Sequence, residues 1–275
     1  MPASILPSLP VVGDEMRKYV AEVEDTLRAA ARGIDPAKAE ERKFFMKATM
    51  PMLGLTVPQQ RQVHKAGFSF SGLPRSRQFP IWDAVWRTAR THEGKVQPLY
   101  FLGKMQGMED AEAEWEVVRG WADDINCWDQ SDGLSQAYSA LLEARPDMVY
   151  PTLRAWNGDA DPWKRRQSVV SLLYYAQLRK RIPALNKILP LVENLLDDPD
   201  YYVQKGVGWT LRETYNAYPK QALAFVSKHA ATIDPAAFSA ALEKMTSAEK
   251  AGIKERRKAR RVRAGARNRK GKDGS

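Results

Sequence analysis

Apolar residues recur at steps of three and four along most of the chain, which is typical of amphipathic α-helices. The period-two alternation of a half-buried strand is scarce. Asp-Pro pairs mark helix starts, because Asp caps a helix by accepting a backbone N–H and Pro suits the first turn. These pairs are Asp35-Pro36, Asp161-Pro162, Asp198-Pro199 and Asp234-Pro235.

The pattern predicts an all-α fold of roughly a dozen helices. The clearest cover residues 14–32, 36–48, 80–91, 111–121, 132–144, 162–178, 184–196, 200–216, 219–229 and 235–244. Helix pairs that repeat at a spacing of about 40 residues indicate a HEAT-like α-α superhelix. Its concave face would suit a rod-shaped ligand such as duplex DNA, and an irregular helical domain is the alternative.

The chain has 275 residues, 44% of them hydrophobic, so we expect a packed globular body. Residues 1–12 are rich in proline and are predicted to form an N-terminal arm. The predicted repeat domain covers residues 13–245. Residues 246–275 are predicted to form a basic C-terminal tail.

The formal net charge of +10 belongs to this tail. Residues 250–275 carry twelve basic and two acidic side chains, whereas the rest of the chain carries 31 of each. Such a cluster favours a polyanion, with nucleic acid as the first candidate, and a solvated end is the alternative. We therefore expect truncation after Met245 to weaken DNA binding at low salt and to spare any chemical step.

Several classes of function receive no support from the composition. Cys127 is the single cysteine, which excludes an intramolecular disulfide and fits a reducing cytoplasm. We find no secretory signal and no membrane span, and we expect a soluble, cytoplasmic monomer. The three histidines lie far apart without metal-ligand spacing, so we expect no metal and no cofactor.

The helix that contains residues 201–212 has two distinct faces. Val203, Val207, Thr210 and Thr214 recur at helical spacing and are predicted to pack inward. A second face places an aromatic ring among cations, a combination that suits nucleic acid, although half-buried packing is the alternative. This face holds Tyr202, Lys205, Trp209 and Arg212. Gly206 and Gly208 are expected to lower the helix surface beside Trp209 for a close partner.

Two further segments carry candidate chemistry. Asp132 is predicted to begin or cap a helix, and it follows Trp128 by four residues, so the two side chains lie side by side if the turn is helical. A plain N-cap is the alternative for Asp132. Lys164, Arg165 and Arg166 fall in the first turn of a predicted helix, where they oppose the macrodipole unless a phosphate binds there, and a solvated basic turn is the alternative.

These three segments resemble, in motif and order, the DNA alkylation repair glycosylase family with HEAT-like repeats. The family's Trp-Asp-x-x-Asp pattern is present at residues 128–132, and its Trp-x-x-Arg pattern at residues 163–166. The most specific pattern, Gln-Lys-x-x-Gly-Trp-x-Leu-Arg-Glu, is present at residues 204–213. The resemblance covers about residues 15–245, with a weaker echo at residues 53–58; Cys127 and the basic tail depart from the family pattern.

The resemblance implies a DNA glycosylase that excises N3- and N7-alkylated purines from duplex DNA and so initiates base excision repair. It implies that Asp132 is the catalytic carboxylate, that Trp128 and Trp209 flank the deoxyribose of the lesion, and that Arg166 holds the adjacent phosphate. It also implies recognition without full base flipping and tolerance of bulky adducts. Further DNA contacts are predicted at Tyr202, Lys205, Arg212, Lys164 and Arg165.

Two other functions remain open on the sequence. One is a non-catalytic protein of the same fold that binds branched or damaged DNA, and the other is a HEAT-type scaffold that binds proteins. The presence of Asp132 together with Trp128 and Trp209 favours the enzyme. A protein scaffold would need neither these side chains nor the terminal cluster of basic residues.

Overall fold

The structure is a computed structural model that describes residues 13–103 and 111–272, with the backbone alone for residues 111 and 260–272. These residues form fourteen α-helices and two short 3-10 helices without a strand, which confirms the all-α prediction. The α-helices are α1 (Asp14–Ala30), α2 (Pro36–Met46), α3 (Val57–Ala66), α4 (Arg75–Thr88), α5 (His92–Leu102), α6 (Ala111–Arg119), α7 (Trp128–Ala144), α8 (Pro146–Trp156), α9 (Pro162–Val170), α10 (Leu185–Asn194), α11 (Tyr201–Ala217), α12 (Pro219–Lys228), α13 (Pro235–Ala241) and α14 (Ser247–Lys272).

The chain forms two compact units, unit 1 up to Ala137 and unit 2 from Tyr138, so that the division falls within α7. The predicted N-terminal arm, residues 1–12, lies outside the described residues. No helix among the residues that the structure describes is long and apolar enough to cross a membrane.

Three of the four predicted Asp caps are confirmed. The carboxylates of Asp35, Asp161 and Asp234 each accept a backbone N–H of the helix that follows, at 2.7–2.9 Å. The fourth prediction is wrong, because Asp200 and not Asp198 caps α11, by accepting the N–H groups of Tyr202 and Val203. Asp198 instead accepts the N–H of Asp200 and so shapes the turn that precedes the helix.

The sequence pattern missed the helices α3, α5, α8 and α14 and misplaced the starts of two others. Helix α4 begins at Arg75, five residues before its predicted start, and carries Pro80 in its interior. Helix α5 has no alternation to detect, because every residue in it except Tyr100 is buried. Helix α7 begins at Trp128 and not at Asp132, which places Asp132 in its second turn.

In unit 1, α5 packs against α1, α3 and α4. Aromatic side chains fill much of this core: Trp86 and Trp121 stack with ring centroids 5.1 Å apart, and Trp82 contacts Phe70 edge-on at 5.0 Å. Trp82, Trp86 and Trp121 are almost completely buried. Helix α5 joins this core through Phe101, whose ring centroid lies 5.8 Å from that of Trp82, and its first residue, His92, is hydrogen-bonded to Asp129 of α7.

In unit 2, α11 packs against α9 and α13. Val203, Val207, Thr210 and Thr214 are fully buried, which confirms the predicted inward face. The prediction that Gly206 and Gly208 make room for a ligand is wrong, because both glycines lie against neighbouring helices. A Cβ on Gly206 would meet Arg166 Cγ of α9 at 3.1 Å, and one on Gly208 would meet Ala237 Cα of α13 at 2.7 Å.

The segment predicted as a basic tail begins as part of unit 2. Its backbone is helical up to Lys272, and α14 contacts α12. Ile253 is buried, and Arg257 donates Nη1 hydrogen bonds to the carbonyls of Ala230 and Ile233, both at 2.8 Å. The Arg257 guanidinium also lies 4.1 Å from the ring centroid of Phe238. The first three turns of α14 are therefore structural.

We predict that Gly208→Ala lowers the free energy of unfolding by about 1–3 kcal/mol, because the added methyl group collides with the backbone of Ala237. Gly252→Ala is the matched control, since Gly252 also lies inside a helix but has no atom within 4 Å of an added Cβ. It should stabilise the helix by about 0.5–1 kcal/mol. Urea unfolding of both variants tests the contrast, and equal effects would contradict the close crossing of α11 and α13.

Candidate functional site

The start of α7 displays Trp128 and Asp132. Both side chains are half-buried, and their spacing of four residues places Asp132 one helical turn beyond Trp128 on the same face. Asp132 is therefore not an N-cap, which removes the alternative given for it above. The opposite side of the helix faces the interior, where Leu134, Tyr138 and Leu141 are buried as predicted.

Sequence reasoning missed two exposed phenylalanines, one of which lies beside Trp128. Phe44 and Phe45, near the end of α2, are 75% and 70% exposed. The ring of Phe45 approaches Trp128 edge-on, with the centroids 6.2 Å apart, and the Lys47 ammonium lies 3.7 Å from the centroid of Phe44. The available signal for this exposed aromatic surface was the pair of consecutive Phe residues in the polar helix α2. Adjacent helical residues point about 100° apart, so the two rings do not pack in the same direction.

A buried polar cluster lies next to Trp128. The carboxylate of Asp129 accepts a hydrogen bond from His92 Nε2 at 2.8 Å and another from the Cys127 thiol at 2.9 Å. The same carboxylate accepts the backbone N–H of Gln130 at 2.9 Å. His92 and Cys127 lie 35 positions apart in the sequence, and the fold brings His92 Nδ1 to 3.7 Å from Cys127 Sγ.

The donor atoms of His92, Cys127 and Asp129 lie within 4.8 Å of one another, so the cluster was tested as a metal site. At usual zinc bond lengths, two N or O ligands of a tetrahedral ion stand roughly 3.4 Å apart, and sulfur stands farther away. The Nε2–Oδ2 separation of 2.8 Å and the Sγ–Oδ1 separation of 2.9 Å are shorter and match hydrogen bonds. The donor set therefore fits a hydrogen-bonded cluster better than a metal centre.

The ionisation of the cluster follows from burial and pairing. Burial disfavours a charged His92, but the hydrogen bond and charge of Asp129, with the charge of Glu93, outweigh it and raise the pKa of His92. Burial opposes the charged form of Asp129 too, yet hydrogen bonds from His92, Cys127 and the Gln130 N–H lower its pKa. Burial and the Asp129 carboxylate raise the pKa of Cys127, so the thiol stays protonated and is a poor nucleophile.

In unit 2, Trp209 belongs to an aromatic group that faces outward. Its ring centroid lies 5.3 Å from that of Tyr174 and 5.8 Å from that of Tyr175. Tyr175 is 41% exposed and adopts a left-handed backbone conformation with φ of 49°, a conformation that costs free energy for a residue other than glycine. A hydrogen bond to the interior stabilises this strained turn: the N–H of Ala176 donates to the buried carboxylate of Glu213 at 3.0 Å.

Arg212 lies under Trp209 and is already ion-paired. Its guanidinium carbon is 5.2 Å from the centroid of Trp209, and its nitrogens donate to Glu213 at 3.0 Å and Glu243 at 2.9 Å. The hydrogen bond from Arg212 lowers the pKa of Glu243. Arg212 therefore supports Trp209 in this structure, and its contact with DNA stays a prediction.

Two of the three cations at the start of α9, Lys164 and Arg165, are compensated by aspartates, so these two do not require a bound phosphate. Arg165 makes a bidentate pair with Asp198, at 2.6 and 3.2 Å, and donates Nη1 to the carbonyls of Asp159 and Ala160. Lys164 Nζ lies 3.8 Å from Asp159. Arg165 has a structural role, since it joins the turns that precede α9 and α11, and its contact with DNA stays a prediction.

Arg166 is 5% exposed and crosses from α9 to α11, where its Nη1 donates to the carbonyl of Tyr202 at 2.8 Å. The ring of Tyr202 stacks on Trp163, with the centroids 5.2 Å apart. Lys205 is exposed on the outer surface of α11. These residues, together with Lys164 and Trp209, form the predicted unit 2 part of the site, whereas Trp128 and Asp132 belong to unit 1.

Comparison with known proteins identifies the class of fold first. A predicted DNA alkylation repair enzyme from Enterococcus faecalis is 16% identical and has a TM-score of 0.62, with 78% of this chain and 97% of that chain covered. The crystal structure of AlkD2 from Streptococcus mutans is 14% identical and has a TM-score of 0.52, with 88% and 97% covered. No curated protein matches the chain significantly. This chain shares the helical fold of these two structures.

The family follows from the sequence itself. The family model of DNA alkylation repair enzymes matches residues 23–245. The chain belongs to this family of DNA alkylation repair enzymes, and DNA is its partner. The match includes the starts of α7, α9 and α11, where the three motifs lie.

The His92–Asp129 pair predicts how stability depends on pH. Because the folded protein raises the pKa of His92 above its ordinary 6.5, protonated His92 stabilises the fold below that value, and the contribution is lost as pH rises through the folded pKa. The free energy of unfolding of the wild type should exceed that of His92→Gln most at about pH 5.5 and least at about pH 9. Urea unfolding across this range measures the difference, and a difference independent of pH would contradict a charged His92.

Proposed function

We propose that the protein is a DNA glycosylase that hydrolyses the N-glycosidic bond of N3- and N7-alkylated purines in duplex DNA. The observation that carries the proposal is the position of Asp132, half-buried and one helical turn beyond Trp128. Membership of the DNA alkylation repair family supports the class of substrate.

The chemistry of the lesion explains why a single carboxylate suffices. An N3- or N7-alkylated purine is positively charged, so it leaves as a neutral base and needs no general acid. Positive charge develops on the sugar in the transition state, as in other glycosyl transfers. A fixed carboxylate at Asp132 would stabilise this charge and orient the attacking water.

Aromatic faces would assist Asp132. The electron-rich indole of Trp128 attracts a positively charged sugar, by about 0.5–2 kcal/mol for a cation–π contact. Phe45 extends this aromatic surface and is exposed enough to contact DNA. We carry the sugar contact of Trp209 over from the family motif, and its neighbours Tyr174 and Tyr175 would support the ring.

Phosphate binding is proposed for Lys205, which is exposed on α11 and can reach the DNA backbone. The DNA contacts of Lys164 and Tyr202 are proposed from the sequence alone. Arg166 keeps its proposed role at the phosphate next to the lesion on the strength of the motif. Arg165 and Arg212 are better explained as supports, since carboxylates occupy their guanidinium groups.

Asp132→Asn should remove base release and leave DNA binding intact, because the amide is nearly the same size as the carboxylate but has no charge. We expect the rate of release to fall about 100- to 1,000-fold. Single-turnover incubation with N7-methylguanine-containing DNA, followed by chromatography of the released base, measures the rate. Asp25→Asn is the matched control, since Asp25 is an exposed residue of α1.

Each outcome of this experiment separates the candidate functions. Release at the wild-type rate by Asp132→Asn would refute the role of this residue. A wild-type protein that binds the modified duplex but releases no base would refute the glycosylase and favour a non-catalytic DNA-binding protein.

The end of α14 is proposed as a second DNA contact. Residues 260–272 carry seven basic side chains and no acidic one. Residues 247–259 are anchored on unit 2 through Ile253 and Arg257. The charge beyond them is thus attached to the fold and can bind phosphates without regard to base sequence.

Truncation after Ala259 should keep the anchored turns and remove the seven basic residues. The slope of the logarithm of the DNA association constant against the logarithm of salt concentration should become shallower by about 3–6. Each phosphate contact that is lost reduces the slope by roughly 0.9. Titration of a labelled duplex at several salt concentrations measures the slope. Truncation after Met245 is the contrasting variant and should also lower the melting temperature, because it removes Ile253 and Arg257. An unchanged slope after truncation at Ala259 would refute the DNA role of this segment.

A further inference from the structure

The first turn of α7 is held by a side chain from another helix. Trp128 is the first residue of α7, and the N–H groups of a first helical turn have no partner within the helix. Asp129, the second residue, accepts hydrogen bonds from His92, the Cys127 thiol and the N–H of Gln130. Since Asp129 lies between Trp128 and Asp132, whatever fixes Asp129 also fixes the helical turn that displays both.

His92 is itself rigidly placed. It is the first residue of α5, and its ring is buried. Its backbone N–H donates to the carbonyl of Pro51 at 2.9 Å. The preceding residue, Thr91, caps α5 and is bound in turn by the buried carboxylate of Glu24 from α1, at 3.0 Å to both N and Oγ1. A Cβ on Gly94 would lie 2.5 Å from Glu24 Oε1, so an added methyl group would displace this carboxylate.

The next residue along α5 anchors a further segment. The Glu93 carboxylate, fully buried, accepts the N–H groups of residues 53–55 at 2.9–3.2 Å. The N-terminus of α5 is therefore restrained by Glu24 on one side and by residues 53–55 on the other. The backbone of His92 is fixed by these contacts, and its Nε2 donates to α7 from that fixed position. A hydrogen bond from a buried side chain on a fixed backbone can restrain a helical turn more tightly than a hydrogen bond from a solvent-exposed N-cap side chain can.

We propose that His92 is a positioning residue for base release: its hydrogen bond to Asp129 holds the first turn of α7, and so the indole of Trp128 and the carboxylate of Asp132, in the orientation that the reaction needs. The proposal rests on the glycosylase function proposed above. His92 itself does not touch the substrate, because its ring is buried behind Asp129.

The experiment compares two substitutions at one position. His92→Phe keeps a ring of similar size and removes the hydrogen bond, whereas His92→Gln keeps a donor at a similar distance from Asp129. Glu114→Gln is the control: it weakens the partly buried bidentate pair of Glu114 with Arg75, which joins α6 to α4 in the same unit. Thermal unfolding, affinity for duplex DNA and single-turnover release of N7-methylguanine are measured for all four proteins.

We expect His92→Phe to lower the single-turnover rate by about tenfold or more, since small misplacement of catalytic groups has effects of this size. DNA affinity should stay within about twofold of wild type, because the phosphate contacts are unchanged. His92→Gln should recover most of the rate. Glu114→Gln should lower the melting temperature and leave the rate unchanged.

Three results would overturn the proposal. They are a wild-type rate in His92→Phe, no recovery in His92→Gln, or a loss in Glu114→Gln equal to that in His92→Phe, which would reduce the effect to general destabilisation. A wild-type protein without base release would refute the proposed function itself, and hydrogen exchange of the peptide over residues 128–132 would then test the restraint alone. Faster exchange in His92→Phe than in Glu114→Gln supports it, and equal exchange refutes it.

Discussion

Helix α5 carries two buried ionisable side chains at its N-terminus, and unit 1 depends on the pairing of both. His92 and Glu93 are at most 1% exposed, and an unpaired charge at such a position costs several kcal/mol. Glu93 is satisfied by backbone N–H groups of residues 53–55, and His92 by Asp129. The packing of α5 therefore determines both the loop before α3 and the start of α7, because neither partner can move away without leaving a buried charge behind.

The same physical solution recurs in unit 2. Glu213 is 1% exposed, and its carboxylate accepts from Arg212 and from the N–H of Ala176. These bonds hold Arg212 under the indole of Trp209 and hold the strained turn at Tyr175 beside it. In unit 2 the buried carboxylate of Glu213 lies below Trp209, and in unit 1 the partly buried carboxylate of Asp129 follows Trp128 directly, so a carboxylate with hydrogen-bonded partners supports the position of each indole.

The sequence predicted well the features that depend on short spacing. The inward face of α11 and the proximity of Trp128 to Asp132 follow from helical periodicity, and three Asp caps follow from Asp-Pro pairs; the structure agrees with each. Helix α5 could not be found in this way, because it is buried on nearly all sides and shows no apolar face. The His92–Asp129 pair joins residues 37 positions apart, and a single sequence contains no signal for it. Gly206 and Gly208 were misinterpreted because the same residue type serves close helix packing and close ligand approach.

The charge distribution separates the proposed capture of DNA from the proposed chemistry on it. The excess charge lies in residues 250–275, and the rest of the chain is balanced. Attraction between this segment and phosphates is equal in the ground state and the transition state, so it can increase binding without accelerating bond cleavage. Stabilisation of a positive sugar, in contrast, requires a carboxylate at contact distance and in a fixed direction. The basic segment of residues 250–275 and the fixed first turn of α7 therefore meet different physical demands. Selection can alter the charge of the segment without disturbing the turn.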